Sequence, residues 1–200
     1  MQQEIKSEAT KQLIAEKAFN LFYKNGFKST SIDNIMKETS LSKGAFYHHF
    51  KSKKEIGLAV IGLKIQKRVM DVMILPLKEP GNAYDTIENV FTKRLKGFSL
   101  FEKQHGCPMN NFINELGDNE IAYQSALKNI IEDWKNHLIQ IIERGKLERS
   151  IKHDTPSEAV AIYLISAFEG IRGLRKLYNN DAVFDEFLTG LSLYLKQIKF

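Results

Sequence analysis

The sequence predicts an all-α protein of about nine helices. Apolar residues recur at helical spacing along most of the chain, and no useful stretch alternates with the period of a β-strand. The chain has only 12 Gly and 4 Pro in 200 residues, which leaves little material for a turn-rich β protein. Helix-start signals and short polar breaks divide the apolar pattern into separate segments.

The first 75 residues contain several helix-start signals. After a first amphipathic helix, Thr30 and Asp33 have the spacing of a capping box at the start of a short second helix. A third short helix covers Ser42 to His48. Ser52 then opens a long helix that extends to about Leu75, again with a capping-box pattern.

The rest of the chain is predicted to be helical as well. One helix covers residues 83–103, and Gly117-Asp118-Asn119 breaks the chain before a long amphipathic helix. Thr155 as N-cap with Pro156 at the first helical position is the strongest helix-start signal. A last helix covers residues 183–198.

Charge is unevenly distributed along the chain. The formal net charge is +5, and residues 1–55 hold 10 Lys against 6 Asp and Glu, so most of the excess lies in the first quarter. This favours a surface that faces phosphates, although a solvated lysine-rich face has the same composition. The single cysteine, Cys107, excludes an internal disulfide framework. The polar N-terminus and the lack of any long apolar run predict a cytoplasmic protein without a membrane partner.

The segment from Thr30 to Phe50 has the pattern of a helix-turn-helix, whose second helix enters the major groove of DNA. Ala45 is small enough for close packing of the two helices. The neighbouring Ser42, Lys43 and Gly44 form a short polar edge that could approach base edges, since bulk there would hold the helix away.

One string carries the strongest signal, and it reads Ala18-Phe19-x-Leu21-Phe22, Gly26-Phe27-x-x-Thr30-Ser31-Ile32-x-x-Ile35 and Leu41-Ser42-Lys43-Gly44-Ala45-Phe46-Tyr47-His48-His49-Phe50-x-Ser52-Lys53. From about Thr10 to Leu58 the chain closely resembles the N-terminal domain of TetR/AcrR-type transcriptional regulators. The resemblance implies a three-helix DNA-binding domain over residues 1–52 and a larger helical domain for effector binding and dimerisation over residues 53–200. It also implies a homodimeric repressor, with double-stranded operator DNA and a small effector as partners.

Carried over position by position, the resemblance implies two groups of DNA contacts. The expected phosphate contacts are Thr30, Ser31, Tyr47, His48 and Lys53. The expected base-facing edge is Ser42, Lys43, Gly44 and Ala45. A metal site at His48 and His49 is the weaker interpretation of that pair, because adjacent helical residues point about 100° apart.

A regulator of this kind needs a cavity for its effector. The segment from Gly106 to Leu116 also looks like a stretch found in one subset of these repressors. The candidate wall residues are aromatic or sulfur-containing, which favours an apolar or aromatic effector, and ordinary core packing is the alternative for each: Phe98, Phe101, Cys107, Met109, Phe112, Trp134, Tyr163 and Phe168.

The last two helices are the candidate dimer interface. Small residues recur on the first of them at Ser166, Gly170 and Gly173, where close helix approach would explain glycine inside a helix. Phe187, Leu191 and Tyr194 belong to a wide apolar face of the last helix. Paired across a two-fold axis, these faces would form a four-helix interface, and burial within the monomer is the alternative.

Three other functions remain open at this point. Cys107 precedes Pro108 at a helix start, a position that favours thiolate, so the repressor could be switched by an electrophile or oxidant. An enzyme with Cys107 as nucleophile and His105 as base is disfavoured, because no oxyanion-hole motif follows, and no cofactor or metal is expected. A protein that coats DNA without sequence preference would share the basic N-terminal region.

Overall fold

The computed structural model describes residues 2–117 and 120–200, and side chains from residue 4 onward in those ranges. The fold is all-α, as predicted: the described residues form helices, and their only β pairing is an isolated bridge between Ile151 and Lys199. No helix in the described part of the chain is both long enough and apolar enough to cross a membrane.

Contacts divide the chain into two compact units. The first contains Met1–Lys67 and Pro108–Lys128, and the second contains Arg68–Cys107 and Asn129–Phe200. Each unit is therefore built from two separate stretches of sequence. The expected division of the chain into residues 1–52 and 53–200 concerns function rather than contacts, and it stays a prediction.

The first unit contains the predicted helix-turn-helix. Its leading elements are α1 (Gln2–Asn25), α2 (Ile32–Thr39), α3 (Lys43–His49), α4 (Lys53–Val60) and a π-helical turn (Ile61–Gln66). α8 (Pro108–Leu116) and the first residues of α9 (Ile121–Leu147) complete this unit, and the boundary with the second unit falls inside the short α5 (Lys67–Val69), after Lys67. Its buried core is apolar and includes Ile14, Ala18, Phe22, Ile35, Phe46, Phe50 and Ile56.

The second unit begins with a π-helical turn (Met70–Ile74) and a 3₁₀ turn (Leu75–Lys78). Then come α6 (Ala83–Lys96), α7 (Leu100–His105), the remainder of α9, α10 (Ser157–Leu174), a 3₁₀ turn (Arg175–Leu177) and α11 (Ala182–Ile198). Its largest buried side chains include Phe91, Trp134 and Phe168.

The prediction of one uninterrupted helix over residues 83–103 is wrong. The helix stops at Lys96, and α7 begins three residues after Gly97. Ser99 and Glu102 form a reciprocal capping box, in which Glu102 N donates to Ser99 Oγ at 3.3 Å and Ser99 N donates to Glu102 Oε2 at 2.9 Å. This capping box satisfies backbone amides that have no partner within the helix. It therefore stabilises a new helix start at this point in place of one uninterrupted helix.

The predicted N-cap at Thr155 is also wrong. α10 begins at Ser157, so Pro156 occupies the N-cap position, and no side chain caps the helix there. Thr155 is buried, and its amide donates to Lys152 O at 3.2 Å in the preceding turn. The predicted break at residues 117–119 begins at Gly117, which follows α8, while Asp118 and Asn119 lie outside the described residues.

Candidate nucleic-acid interface

The start of α2 is fixed by a capping box one residue later than predicted. Asn34 N donates to Ser31 Oγ at 3.1 Å, and Ser31 N donates to Asn34 Oδ1 at 2.8 Å. Thr30 is only 1% exposed, and its hydroxyl donates to Gly26 O at 2.8 Å. The Thr30 side chain therefore anchors the turn between α1 and α2 and is not placed to reach a phosphate, whereas Ser31 is exposed.

A tight turn joins α2 to α3. Ser40 takes the left-handed conformation with φ of 56°, which lets the chain reverse direction within a few residues. Leu41 N donates to Thr39 Oγ1 at 3.3 Å inside this turn. Ser42 is the N-cap of α3 and accepts from Ala45 N at 3.3 Å. Side-chain hydrogen bonds thus hold the turn from both sides.

The two sides of α3 differ sharply in exposure. Phe46 is fully buried and its ring lies 5.8 Å from that of Phe50. On the other side, Tyr47 is 53% exposed and keeps its ring edge-on to Phe46 at 5.4 Å. The remaining predicted contacts on α3 share the exposed side, with Ala45 half-buried at its margin: Ser42, Lys43, Gly44 and His48. The structure therefore brings these residues together on one accessible face.

An ion pair that the sequence patterns did not indicate lies beside this face. Lys43 Nζ is 2.7 Å from Asp33 Oδ1, and both side chains are well exposed. The hydrogen bond and the charge of Asp33 raise the pKa of Lys43. The sequence does contain a signal for this ion pair: an acidic residue at the start of α2 and a basic residue at the start of α3, which are short helices joined by a tight turn.

The C-terminal end of α3 lies near α1. Burial lowers the pKa of His49, and the neighbouring charges of His48 and Lys11 lower it further. The rings of His48 and His49 are 4.9 Å apart and nearly perpendicular. No group of three His, Cys, Asp or Glu in residues 2–117 and 120–200 could hold a metal ion.

Lys53, another predicted phosphate contact, is half-buried at the start of α4. Its ammonium donates to Lys28 O at 3.2 Å and lies 4.5 Å from the centre of the Phe27 ring. Burial lowers the pKa of this lysine, and the charge of Glu115 opposes that shift. Lys53 is thus attached to the turn between α1 and α2, and its contact with phosphate stays a prediction.

Three predicted effector residues form an aromatic cluster in the second unit together with Phe91. The Phe168 ring lies 5.8 Å from Trp134, 6.2 Å from Phe98 and 5.5 Å from Phe91. Trp134 is 1% exposed, and its indole Nε1 has no hydrogen-bond partner among the described residues. A buried donor without a partner is costly unless something else satisfies it.

Charged groups border this aromatic cluster. The guanidinium groups of Arg94 and Arg172 lie 4.3 Å and 4.5 Å from the centre of the Phe98 ring. Arg172 also donates to Gly106 O at 2.9 Å and lies 3.5 Å from Glu169. The expectation of a wholly apolar or aromatic effector therefore has to allow for these charges.

Cys107 belongs to the same charged border. It is 5% exposed, and its thiol forms a hydrogen bond with the Glu169 carboxyl group. Burial raises the pKa of Glu169, opposed by Arg172, and Glu169 Oε2 has no hydrogen-bond partner in the described residues. His105 stacks on Phe101 at 4.0 Å and bonds through Nδ1 to Phe101 O.

The other four predicted effector residues are placed differently. Met109 and Phe112 lie on α8 in the first unit, where Phe112 packs 5.9 Å from Phe22 as part of that core. Phe101 is 39% exposed and Tyr163 is 48% exposed. Their inclusion in one aromatic pocket is corrected, because aromatic residues distant in sequence were grouped by type without knowledge of their packing.

The predicted dimer residues mostly lie on the surface of α10 and α11. Ser166, Gly170 and Gly173 are exposed, and a Cβ atom at either glycine would meet none of the described residues within 4 Å. Tyr194 and Phe187 are half-buried, and Tyr194 lies 4.3 Å from Tyr163. Leu191 is 5% exposed within the unit, so its role in an interface is corrected to a core role.

Large apolar side chains accompany these small residues on the surface. They share high exposure and lie on α10, in the turn that follows it, and on α11: Ile162, Leu174, Leu177, Tyr178 and Leu193. An apolar surface of this kind is typical of a face that another protein surface covers. The sequence patterns did not single out Ile162 and Leu174, although Ile162 is next to Tyr163 and Leu174 is next to Gly173, nor Leu177 in the turn after α10.

Comparisons with known proteins agree with this geometry. Residues 10–60 match the family model of bacterial regulatory proteins of the tetR family. Residues 83–191, more than half of the chain, match the model of the tetracyclin repressor-like C-terminal domain. The chain belongs to the TetR family. It is a DNA-binding transcriptional regulator, and its fold and relatives are those of TetR-family regulators rather than enzymes.

Individual relatives and solved structures match from 66% to 97% of this chain. The transcriptional repressor DhaR of Mycobacterium sp. (strain GP1) is 26% identical, over 90% of this chain and 88% of the relative. The TetC protein of transposon Tn10 from Escherichia coli is 29% identical, over 66% of this chain and 79% of that relative. A TetR-family regulator from Cytophaga hutchinsonii superposes with a TM-score of 0.86 at 24% identity, covering 97% of this chain and 96% of that one. The structure of E. coli NemR in its reduced form superposes with a TM-score of 0.81 at 21% identity, covering 96% of this chain and 97% of that one.

Proposed function

We propose that this TetR-family protein is a homodimeric repressor that a small effector releases from a palindromic operator. Residues 1–52 would form the DNA-binding domain and residues 53–200 the effector-binding and dimerisation domain, acting in the cytoplasm. The observation that carries the DNA-binding part is the division of α3 into a buried side at Phe46 and an exposed side of small and polar residues.

The exposed side of α3 supports two kinds of DNA contact. Ser42, Lys43 and Gly44 are short or flexible, so they would let the helix approach base edges in the major groove. Tyr47 and His48 carry groups that can donate to phosphate oxygens and would fix the position of the helix on the DNA backbone. Two such helices in a dimer would read half-sites about 34–36 Å apart.

The exposed apolar surface of α10 and α11 supports the homodimer. Gly170 and Gly173 leave space beside their backbone, and Tyr163 and Tyr194 pair next to this space. Glycine inside a helix costs about 1 kcal/mol relative to alanine, which close approach of a partner helix would offset. A two-fold interface places the same surface on both protomers, so each face would cover the other.

The aromatic cluster of Phe98, Trp134 and Phe168 supports an effector site in the second unit. Trp134 Nε1, which has no hydrogen-bond partner in the described part of the chain, would donate to an acceptor on the effector, and the Glu169 carboxyl group offers a second polar contact. We therefore propose an effector with an apolar or aromatic body that carries a hydrogen-bond acceptor such as a carbonyl oxygen. A difference of about 1–3 kcal/mol between the two states of the repressor would suffice for regulation.

Trp134 provides a direct test, because it is the only tryptophan in the chain. Matched pairs of aromatic compounds with and without a carbonyl group would be screened for a change in its fluorescence and for release of operator DNA. We expect the carbonyl compounds to do both at the same concentrations. Phe168→Ala should weaken both effects, whereas Phe101→Ala, a matched exposed position, should leave them unchanged. Operator release without any fluorescence change would contradict this effector site.

A second candidate function is control by covalent modification of Cys107. Its support is the buried cluster in which the thiol bonds to Glu169 while Arg172 holds the adjacent Gly106 carbonyl. A nearby cation and a following helix start are typical of reactive cysteines, whereas the burial of Cys107 and the neighbouring Glu169 carboxyl group oppose reactivity. Cys107→Ser would be compared with the wild type for operator release by a reactive aldehyde or quinone. Equal release from both proteins would end this alternative.

A further inference from the structure

The carboxylate of Glu115, near the end of α8, holds the turn between α1 and α2. Glu115 Oε1 accepts a hydrogen bond from Phe27 N at 3.2 Å, and Oε2 accepts one from Lys28 N at 2.9 Å. Hydrogen bonds to an ionised acceptor are stronger than neutral ones. A single side chain thus binds two consecutive backbone amides just before the helix-turn-helix, across a separation of 88 and 87 positions in the sequence.

The turn itself is shaped for this carboxylate. Gly26 has φ of +88°, a conformation that side-chain-bearing residues rarely adopt, and a Cβ atom there would lie 3.0 Å from Glu115 Oε1. On the other side of the turn, the buried Thr30 hydroxyl bonds to Gly26 O. The carboxylate therefore satisfies two amides that lie outside any helix, in a turn whose backbone leaves room for it.

Apolar packing reinforces the same attachment. The Phe27 ring lies 5.8 Å from Phe112, which is on α8 like Glu115, and 5.7 Å from Tyr123 at the start of α9. The Tyr123 hydroxyl in turn donates to Lys54 O at 3.2 Å. Helices α8 and α9 consequently contact both the turn that precedes α2 and the beginning of α4, the two segments that flank the helix-turn-helix.

Lys53 links the attachment to the proposed DNA contacts. Its ammonium donates to Lys28 O, the carbonyl of the residue whose amide Glu115 binds, and lies over the Phe27 ring. Displacement of the turn would therefore move Lys53 and the Ser31 cap of α2 together. One carboxylate on α8 is thereby linked, through the α1–α2 turn, to groups that are expected to meet phosphate.

We propose that Glu115 is a positioning residue for DNA binding, through which α8 sets the orientation of the helix-turn-helix. α8 starts at Pro108, directly after Cys107, where the chain leaves the second unit. The helix is thus covalently continuous with the second unit at one end and bonded to the α1–α2 turn near its other end. This inference rests on DNA binding by the family and is independent of effector release.

The test compares Glu115→Gln with Asn114→Ala, an exposed neighbour on the same helix. Glutamine keeps the shape but has only one acceptor oxygen, so one amide loses its partner. For Glu115→Gln we expect about tenfold weaker binding to an operator fragment that the wild type selects from random duplexes. Binding to unselected duplex should change less than about twofold, because phosphate charge dominates it.

Hydrogen exchange gives a readout that a loss of global stability would not mimic. We expect the Phe27 and Lys28 amides to exchange at least about tenfold faster in Glu115→Gln, with core amides unchanged. Asn114→Ala should match the wild type in all three measurements. Glu115→Asp keeps the carboxylate on a shorter stem and should give intermediate values, which also supplies the test if the glutamine variant does not fold.

Two results would overturn the proposal. In the first, exchange at Phe27 and Lys28 becomes faster in both Glu115 variants while operator affinity stays within about twofold of the wild type. In the second, operator and unselected-duplex affinities fall in parallel with the folded fraction measured by circular dichroism. Either result would assign Glu115 to stability alone.

Discussion

Two exposed faces of this protein carry opposite chemistry. The α3 face, defined by Ser42, Lys43, Gly44, Tyr47 and His48, is polar and carries a positive charge. The α10–α11 face, defined by Ile162, Tyr163, Ser166, Gly170, Gly173, Leu174, Leu193 and Tyr194, is mainly apolar. Both faces contain glycine where a partner would have to come close. Small residues would allow approach at both faces, and the surrounding chemistry supports the two proposed contacts, with DNA at one face and with a second copy of the chain at the other.

The largest expected effect comes from filling the space on the α10–α11 face. Gly170→Gln combined with Gly173→Gln should prevent dimerisation and weaken operator binding at least about 100-fold, because the second half-site no longer assists the first. Glutamine has a higher helix propensity than glycine, so the helix itself should become more stable. Sedimentation velocity and operator titration would measure both effects.

Gly62→Gln is the matched control for this pair. Gly62 is also exposed, and nothing in the part of the chain that the structure describes lies within 4 Å of an added Cβ atom. It belongs to the first unit, away from the α10–α11 face in sequence. This variant should remain dimeric with unchanged operator affinity. If the double variant also stays dimeric, the α10–α11 face is not the dimer interface.

The next effect concerns the α3 face. At Gly44 an added Cβ would meet, among the described residues, only Ser42 Oγ at an ordinary contact distance of 3.7 Å, so Gly44→Ala fits the free protein. We expect stability to rise by up to about 1 kcal/mol. We also expect operator affinity to fall about tenfold with no change on random DNA, because the methyl group separates α3 from base edges. Competition titrations would measure the ratio of operator affinity to random-DNA affinity, with Gly62→Ala as the control.

An unchanged ratio in Gly44→Ala would place Gly44 away from the bases. If the wild type itself bound operator and random DNA equally, with only a salt dependence, the protein would be a DNA-coating protein. The same titration therefore tests both the base-facing edge and sequence specificity.

A smaller effect is expected from the ion pair beside the α3 face. Asp33→Asn removes a negative charge 2.7 Å from Lys43 Nζ, which returns the pKa of Lys43 toward its ordinary value and frees its ammonium for DNA. Operator affinity should increase about threefold, within the range of exposed charge pairs. Titration at two salt concentrations would measure it. Glu38→Gln removes an exposed acid from the same helix, and an equal gain there would show that net charge alone is responsible.

The smallest effect is a pH dependence of stability at His49. Burial and the nearby charges of His48 and Lys11 hold the pKa of His49 below its ordinary 6.5 in the folded protein. The unfolded chain therefore binds the proton more readily, so this stability contribution is present above pH 6.5 and is lost as pH falls toward the lowered value. Urea midpoints between pH 5 and 8 should show a shallower acid loss for His49→Gln than for the exposed control His153→Gln. Equal slopes would contradict this role.

The sequence predicted the helices well where the signal was local. The position of α3, the Ser42 cap and the last helix agree with the structure, since each depends on residues a few positions apart. The segment from Ser52 to about Leu75 is helical, as predicted, but π-helical turns at Ile61–Gln66 and Met70–Ile74 interrupt the α-helix. Two of the predicted helix starts were displaced. At Thr30 the chain has two adjacent polar residues, and burial of Thr30 left Ser31 as the cap. At Thr155 the next residue is Pro156, and with Thr155 buried no side chain caps the helix.

Grouping by residue type was less successful for the aromatic side chains. Phe98, Trp134 and Phe168 do pack together, but Phe112 belongs to the core of the first unit and Tyr163 lies on the surface. Every one of these residues fits a helical apolar pattern. The pattern indicates that a side chain is buried, but it does not indicate which other helix the side chain packs against.

The sequence by itself determined that this chain is a helical TetR-family regulator, because periodicity, caps and the string from Ala18 to Lys53 all act over short distances along the chain. Only the tertiary structure decided which partner each side chain meets. Glu115 binds the amides of Phe27 and Lys28, and Arg172 binds Gly106 O, although each pair is far apart in sequence. Such contacts depend on the packing of whole helices, which no local pattern specifies.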